Sequence, residues 1–426
     1  MDTIFALASA AGKAGVSIVR VSGPEAWGAV ALLTGSVPDP RYAALRKLLT
    51  ADGEILDEAL VLVFPEGRSF TGERVAEFQV HGSVAVVQAL LRTLGGTQGL
   101  RHAEPGEFTR RALENGRLDL SQVEALGDLI EAETELQRRQ AMRLLSGALA
   151  LKVVDWRLKI IRAASLLEAT IDFVDEDVPV DVSEEVTDLL ASVIHDIDQE
   201  LDGLRSAERV RLGFEVAIIG PPNAGKSTLL NHLAGREAAI TSDVAGTTRD
   251  VIEVRMDIGG LAVTLLDTAG LRDTSDAVEK MGVDRAKLRA EDADLRVHLV
   301  PQGESPLLRV QDGDIVVTAK ADLSGVTGVS GLTGEGVAEL LVAVESRLAD
   351  LVQGAGLASH ERHRVALSEG HAQLMAAKSL LSEGADMYDV TSEEIRVALR
   401  KLERLIGHVD VEHVLDNIFA SFCIGK

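Results

Sequence analysis

Gly220-Pro221-Pro222-Asn223-Ala224-Gly225-Lys226-Ser227 follows an apolar run from Phe214 to Ile219 and precedes a helix-like run from Ser227 to Leu233. The octet fits G-x-x-x-x-G-K-[S/T], and strand, loop and helix in that order are what a phosphate cradle requires. Loop N–H groups point inward at phosphate oxygens, and the helix that follows adds the positive end of its dipole. In such a cradle Lys226 reaches the β- and γ-phosphates and the Ser227 hydroxyl takes a position on Mg²⁺. Asn223, Ala224, Gly225 and Thr228 complete the expected nucleotide contacts on this side.

Working outward, Ala245-Gly246-Thr247-Thr248-Arg249-Asp250 comes next, and then Asp267-Thr268-Ala269-Gly270. Between them, Val251 to Asp257, Gly259-Gly260 and Leu261 to Leu266 predict a β-hairpin with a tight glycine turn. Its second strand delivers Asp267 to the mouth of the cradle, where it can hold the water shell of Mg²⁺. Thr248 can complete the metal's coordination, and Gly270 can donate its N–H to a γ-phosphate. Three such segments in this order predict a nucleotide switch of the GTPase kind.

Composition bounds the rest. A chain of 426 residues is long enough for two or three domains, each with its own core. No apolar stretch approaches the roughly 18 residues of a membrane span, and Met1-Asp2-Thr3-Ile4 lacks the basic start of a signal peptide. One cysteine, Cys423, excludes an internal disulfide framework and agrees with a cytoplasmic location. The net charge of −24 is concentrated in residues 118–210, with 9 Lys+Arg against 21 Asp+Glu. Such a surface repels a phosphodiester backbone, so a partner is expected to supply most of any grip on RNA.

Periodicity divides the chain. Residues 1–117 alternate apolar runs (Val16 to Val21, Ala59 to Phe64, Val75 to Val80) with glycine-rich turns, an α+β pattern. Residues 118–210 carry apolar side chains at helical spacing, as in Val123, Leu126, Leu129 and Ile130. Residues 211–350 hold the switch motifs, an α/β domain. Residues 351–426 return to helix, with Thr391-Ser392-Glu393-Glu394 read as a capping box for the segment that follows. Helical arms before and after the switch domain predict one helical domain into which the switch domain is inserted.

The chain resembles the MnmE (TrmE) family of bacterial tRNA-modification GTPases along nearly its whole length. The resemblance rests on Asp2-Thr3-Ile4, Gly15-Val16-Ser17-Ile18-Val19-Arg20-Val21-Ser22-Gly23, Ser69-Phe70-Thr71-Gly72-Glu73 and Glu77-Phe78-Gln79-Val80-His81-Gly82. It continues through Pro105-Gly106-Glu107-Phe108-Thr109, Gly116-Arg117-Leu118-Asp119-Leu120, the switch motifs and the terminal Phe422-Cys423-Ile424-Gly425-Lys426. It implies a homodimer with an N-terminal domain (1–117) similar to folate-binding one-carbon enzymes and responsible for dimerisation. The helical domain (118–210 and 351–426) then carries an inserted Ras-like GTPase domain with a mixed sheet (211–350). It also implies that, with a flavin-dependent MnmG-type partner, the protein installs a carboxymethylaminomethyl or aminomethyl group on C5 of the wobble uridine of certain tRNAs. The carbon would come from a 5-formyl- or methylene-tetrahydrofolate.

Residue roles carry over position by position. Glu77 stands at the folate-contacting position, where a carboxylate suits the paired donors of a pterin edge. Arg20, Arg117 and Lys426 match the cations that suit the anionic glutamate tail. Arg117 stands where lysine is common, which keeps charge and changes donor geometry. Cys423 falls where folate and target base would meet, a candidate for chemistry. Leu271 follows Gly270 where Ras-like switches carry a water-orienting glutamine, and the resemblance gives that task to Glu279. It also implies a K⁺ ion held by Asn223, Ser242, Val244 and Thr247, with Asp243 in the same nucleotide-facing loop.

One departure stands out. The guanine-reading motif is normally Asn-Lys-x-Asp, and here it is Ala319-Lys320-Ala321-Asp322. Asp322 can still accept from the guanine N1–H and 2-amino groups, and the Lys320 stem can cover the ring. Ala319 cannot donate to N7 or brace the cradle. The connections from Pro301 to Asp312 and from Ser324 to Gly334 are short for the helices expected there, so this half of the domain reads as trimmed. Two rivals remain at this stage: a ribosome-assembly GTPase of the Era or EngA type, and a folate-dependent one-carbon transferase with a purely regulatory nucleotide domain.

Overall fold

A computed structural model describes residues 2–172, 182–236, 238–240, 253–267, 291–407, 418, 419, 422 and 425. Their contacts divide the chain into two compact units, residues 1–127 with 403–426 and residues 128–402.

In the first unit the alternating runs become strands β1 (Thr3–Leu7), β2 (Val16–Ser22), β3 (Ala44–Leu49), β4 (Ile55–Phe64), β5 (Val75–His81) and β6 (Leu100–His102). They form one sheet in the order β3-β4-β5-β2-β1-β6, antiparallel except for β1 beside β6. Period-two alternation sorts the side chains onto two faces. Val19, Val21, Val61, Ala76 and Phe78 pack beneath α1 (Ala26–Thr34) and α2 (Val84–Gly95). The other face carries a smaller cluster of Ile4, Ala6, Ala103 and Phe108, the last from α3 (Glu107–Glu114). The chain's end returns to this sheet. Gly425 has φ +102, and a Cβ there would lie 2.0 Å from the Leu7 carbonyl oxygen, so only glycine fits. Helix α4 (Leu120–Glu131) follows α3.

In the second unit the predicted helical texture becomes α5 (Glu135–Leu145), α6 (Ala148–Asp172) and α7 (Ser183–Leu212), joined after the inserted domain by α11 (Glu361–Leu381) and α12 (Tyr388–Glu403). Trp156, Ile160, Val193, Ile197 and Leu374 are among their fully buried side chains. Thr134 and Gln137 make a reciprocal capping box at the start of α5.

The box read at Thr391 is not one. α12 begins at Tyr388, so Thr391 lies inside it and its Oγ1 donates to the Met387 carbonyl at 2.8 Å. Tyr388, Thr391, Ser392 and Ile395 are all buried on one face, and burial of that face starts the helix a turn earlier than the cap signal suggested.

The inserted domain holds a five-stranded sheet in the order β11-β10-β7-β9-β8. β7 (Phe214–Ile219), β9 (Leu261–Asp267), β10 (Leu295–Val300) and β11 (Ile315–Thr318) run parallel, and β8 (Glu253–Ile258) is antiparallel to β9. The glycine hairpin is present: Gly259 and Gly260, at φ +63 and +85, join β8 to β9. α8 (Lys226–Ala234), the single turn α9 (Ala321–Ser324) and α10 (Val337–Leu351) complete the described elements.

Both passages between helices and inserted domain are fixed on α7. Its last turn leads through Gly213 into β7. The returning chain is fastened to the same helix: Ser206 Oγ donates to the Leu351 carbonyl at 2.8 Å and Arg211 Nε to the Ser359 carbonyl at 3.0 Å. Glu200, 3% exposed, accepts from the N–H groups of Leu357 and Ala358 at 2.7 and 3.2 Å while its other oxygen takes Lys152 Nζ at 2.5 Å. No helix among the described residues is long and apolar enough to cross a membrane.

Candidate nucleotide and folate sites

β7 is buried along both faces, which fixes its end at the centre of the sheet, and the loop 220–225 turns from that end into α8. Two left-handed residues, Asn223 (φ +62) and Gly225 (φ +99), fold the loop back on itself. Asparagine is among the few side chains that tolerate this region. Lys226 is buried, and its Nζ donates to the carbonyls of Gly220 at 2.7 Å and Pro221 at 3.1 Å. The ammonium therefore lies across the mouth of the loop.

The end of β9 brings Asp267 alongside. Ser227 Oγ donates to Asp267 Oδ2 at 2.8 Å, and Asp267 is only 4% exposed. Its Oδ1 is buried with no hydrogen-bond partner among the described residues. An orphaned carboxylate oxygen in the interior costs on the order of 1–3 kcal/mol or more, so this atom is set for a ligand. A hydroxyl and a carboxylate with a free oxygen are the hard donors that Mg²⁺ or its water shell takes.

On the other side of the loop a cavity of about 210 Å³ is lined by Ala224, Gly225 and Thr228 together with Ala319, Lys320 and Asp322. The two halves of the expected nucleotide site thus meet in one place. Ala319 is 3% exposed and makes a parallel bridge with Val329; Lys320 takes φ +57. The trimming read from sequence is real: between Pro301 and Asp314 there are turns and no helix, and α9 is four residues long.

A buried ionic cluster joins β10 to the start of β11. Arg296 pairs with Asp314 through Nε and Nη2 at 3.0 and 2.8 Å, and His298 Nε2 lies 2.9 Å from the same carboxylate. Burial alone would raise the Asp314 carboxyl. Hydrogen bonds from Arg296, the Gln311 N–H and His298 outweigh it and hold the carboxyl below its ordinary value.

Sequence reasoning missed one wall of this cavity. Ser330, Gly331 and Leu332 line it. The Ser330 hydroxyl accepts from the N–H groups of Leu332 and Thr333 at 3.3 and 3.2 Å, which turns the loop. Gly331 lies against α8, where a Cβ would come within 2.4 Å of the Leu229 nitrogen. A serine–glycine pair in a short loop after the base motif was the available signal.

In the first unit Arg20 and Glu77 are direct cross-strand partners on β2 and β5, and Arg20 Nε donates to Glu77 Oε1 at 3.0 Å. The guanidinium stands 5.5 Å from the Phe70 ring centre and 5.8 Å from that of Phe108. Arg117 is exposed after α3, and its stem lies beside Gly72. Other motif residues serve structure. Arg111, 8% exposed, binds Asp2 and Glu107 at 2.9 Å and Glu73 at 3.1 Å, while Ser22 Oγ donates to Glu73 at 2.6 Å. Burial would raise the Glu107 carboxyl, but hydrogen bonds from Arg101, the Glu104 N–H and Arg111 keep it below its ordinary value. Ser242, Asp243, Val244, Ala245, Gly246, Thr247, Thr248, Thr268, Ala269, Gly270, Leu271, Glu279, Cys423 and Lys426 lie outside the described residues.

The chain is similar to known proteins along its whole length. Family models described as the GTP-binding protein TrmE N-terminus and the MnmE helical domain match residues 3–117 and 120–423. The tRNA modification GTPase MnmE of Roseobacter denitrificans is 57% identical over 428 residues, and that of Cereibacter sphaeroides 59% over 429, each covering 100% of both chains. Among solved structures, Era in complex with MgGDPNP and 16S ribosomal RNA is 29% identical over 32% of this chain and 56% of its own, with a TM-score of 0.25. Matched end to end by such relatives, the chain belongs to the MnmE family.

Proposed function

We propose that this chain is a GTP-hydrolysing tRNA-modification protein. With a flavin-dependent MnmG-type partner, it adds a carboxymethylaminomethyl or aminomethyl group to C5 of the wobble uridine of certain tRNAs, from a folate-borne one-carbon unit. The observation that carries the reading is the Ser227–Asp267 pair, with its buried uncommitted oxygen at the mouth of the loop, in a chain of this family.

The chain's residues have clear tasks in that scheme. Lys226 is held by two carbonyls, neutral acceptors that β- and γ-phosphate oxygens outcompete for an ammonium. The α8 N-terminus and the loop N–H groups face the same phosphates. Ser227 and Asp267 would hold Mg²⁺, with Thr248 as a further ligand, and the ion would supply neutralisation of phosphate charge. Glu279 positions the attacking water, the task Leu271 cannot perform. Asn223, Ser242, Val244 and Thr247 are proposed to hold K⁺ in place of an arginine finger.

For folate, Glu77 offers a carboxylate whose second oxygen has no described hydrogen bond, beside aromatic rings that suit a flat heterocycle. Arg20, Arg117 and Lys426 are the cations assigned to the folate tail, and Cys423 is the candidate for chemistry at the base. A homodimer through the N-terminal domain is supported by Leu45 and Leu60, direct cross-strand partners on the β3–β4 hairpin that are both exposed. A cytoplasmic location belongs to the same reading. Mass spectrometry of wobble uridines from cells lacking this gene tests it: the C5 adducts should disappear and return with the intact gene. Unchanged adducts would overturn it.

A further inference from the structure

The trimmed half of the inserted domain carries a feature that the nucleotide does not use. β11 is the last strand of its sheet. β10 lies on one side, and on the other, among the described residues, there is a single bridge between Ala319 and Val329. That bridge occupies the Thr318 carbonyl, which accepts from the Val329 N–H at 2.8 Å. From Ile315 to Val317 no strand among the described residues lies beside the outer edge, and Val316 is 48% exposed. Along this edge opens a groove of about 780 Å³, with Val326, Val329, Leu340 and Ala343 in its wall and Glu335 and Glu339 at its rim. No lysine, arginine or histidine lines it. Both glutamates are exposed, and no ion pair involving either is found among the described residues.

An open sheet edge presents unpaired N–H and C=O groups and is a template for another strand. We propose that this edge and groove receive an extended, cationic segment of a partner protein, added as a further strand beside β11. Main-chain hydrogen bonds to the edge would supply affinity, and side chains alternating across the added strand would supply selectivity. Small apolar residues meet Val326, Leu340 and Ala343, and lysines or arginines meet Glu335 and Glu339. Charge decides among the occupants. A nucleic acid would set phosphates against the acidic rim, and a second copy paired edge to edge would set glutamate against glutamate. A basic segment alone gains from both features.

The groove shares Asp322 and Val329 with the cavity that the motif assigns to the base. Occupancy of the groove is therefore linked to nucleotide affinity, and the linkage is reciprocal. This second statement rests on the reading of that cavity as the base site; the strand addition does not.

The test uses the full-length protein and fluorescein-labelled heptapeptides: alternating lysine and valine, alternating lysine and glycine, and alternating glutamate and valine. Fluorescence anisotropy should show saturable binding of the lysine–valine peptide, at least about tenfold tighter than either control. The double charge reversal Glu335→Lys with Glu339→Lys should abolish it, and the milder Glu335→Gln with Glu339→Gln should weaken it, with thermal midpoints and GTP turnover retained in both. Absence of binding overturns the proposal, and so does binding that the substitutions leave intact. Equal binding of the lysine–glycine peptide would mean diffuse attraction to an acidic protein, and edge-mediated self-association in sedimentation would give the groove to a second copy; either result also overturns it. If the lysine–valine peptide binds and GDP affinity does not move, strand addition stands and the assignment of the base cavity falls.

Discussion

The phosphate end and the base end of the nucleotide site lie in one domain and are built to different standards. At the phosphate end each polar group has a designated place: Lys226 on two carbonyls, Ser227 on Asp267, and one carboxylate oxygen left for a ligand. At the base end an alanine stands where asparagine is usual, and the helix that carries Asp322 is a single turn of four residues. Transferring a phosphoryl group demands charge placed to within tenths of an ångström. Holding a base needs only a slot with a few directed donors and acceptors, and part of that can be lost while turnover continues at saturating nucleotide.

Substitutions at the two ends should therefore fail differently. The largest effect is expected for Lys226→Ala, which should lower kcat/KM for GTP by about 10²–10³-fold in a phosphate-release assay. Turnover within a few-fold of the unaltered protein would mean that the loop does not perform this chemistry. Glu279→Ala comes next, with kcat reduced by about 10²-fold and nucleotide affinity nearly unchanged, the signature of a contact made in the transition state. A loss of affinity at constant kcat would show a purely structural residue.

At the base end the sign reverses. Ala319→Asn should tighten GDP and GTP alike by roughly tenfold to a hundredfold, or about 1–3 kcal/mol, with little change in turnover at saturation. Titration of a fluorescent guanine nucleotide measures it. Identical affinities would move the burden of recognition to Asp322, where Asp322→Asn should favour xanthine. A smaller, severalfold loss of turnover is expected when Na⁺ replaces K⁺ at matched ionic strength, and equal rates would remove K⁺ from the mechanism.

The smallest effect concerns acid. Because the Asp314 carboxyl is held below its ordinary value of 3.8, it contributes stability that is present above that value and lost as pH falls through the lower, folded one. Asp314 should thus leave stability unmoved between pH 7 and pH 5, and Asp314→Asn should flatten the acid limb only below roughly pH 4. A midpoint carried by Asp314 above pH 5 would contradict the arrangement of Arg296 and His298 around it.

What could be read in advance follows from range. The loop at Gly220, the hairpin at Gly259-Gly260 and the helical texture after residue 118 are local patterns, each decided within a few turns or strands of its own residues. The shortened connections were legible for the same reason, as missing length. The false cap at Thr391 shows the limit, since the start of α12 is set by burial of Tyr388 and Ile395 rather than by the residues at the cap. The cluster of Asp2, Glu73, Glu107 and Arg111 joins positions up to 109 residues apart, and no spacing announces it. Asp2, Glu73 and Glu107, met in the sequence only as parts of motifs, form a framework with Arg111, while Arg20 and Glu77, read as folate contacts, do lie together.

The fastening of the inserted domain has a mechanical meaning. Its entry strand leaves α7 at Gly213, and its exit segment is clasped by Glu200 three turns earlier on the same rod. Further ties join the helices to the domain: Arg209 pairs with Asp294 and Arg255 with Glu133, and Leu136 of α5 packs against the domain's core. Force arising at the phosphate end therefore has a stiff path into the last turns of α7, as a load passes through a bolted flange and not through a loose joint.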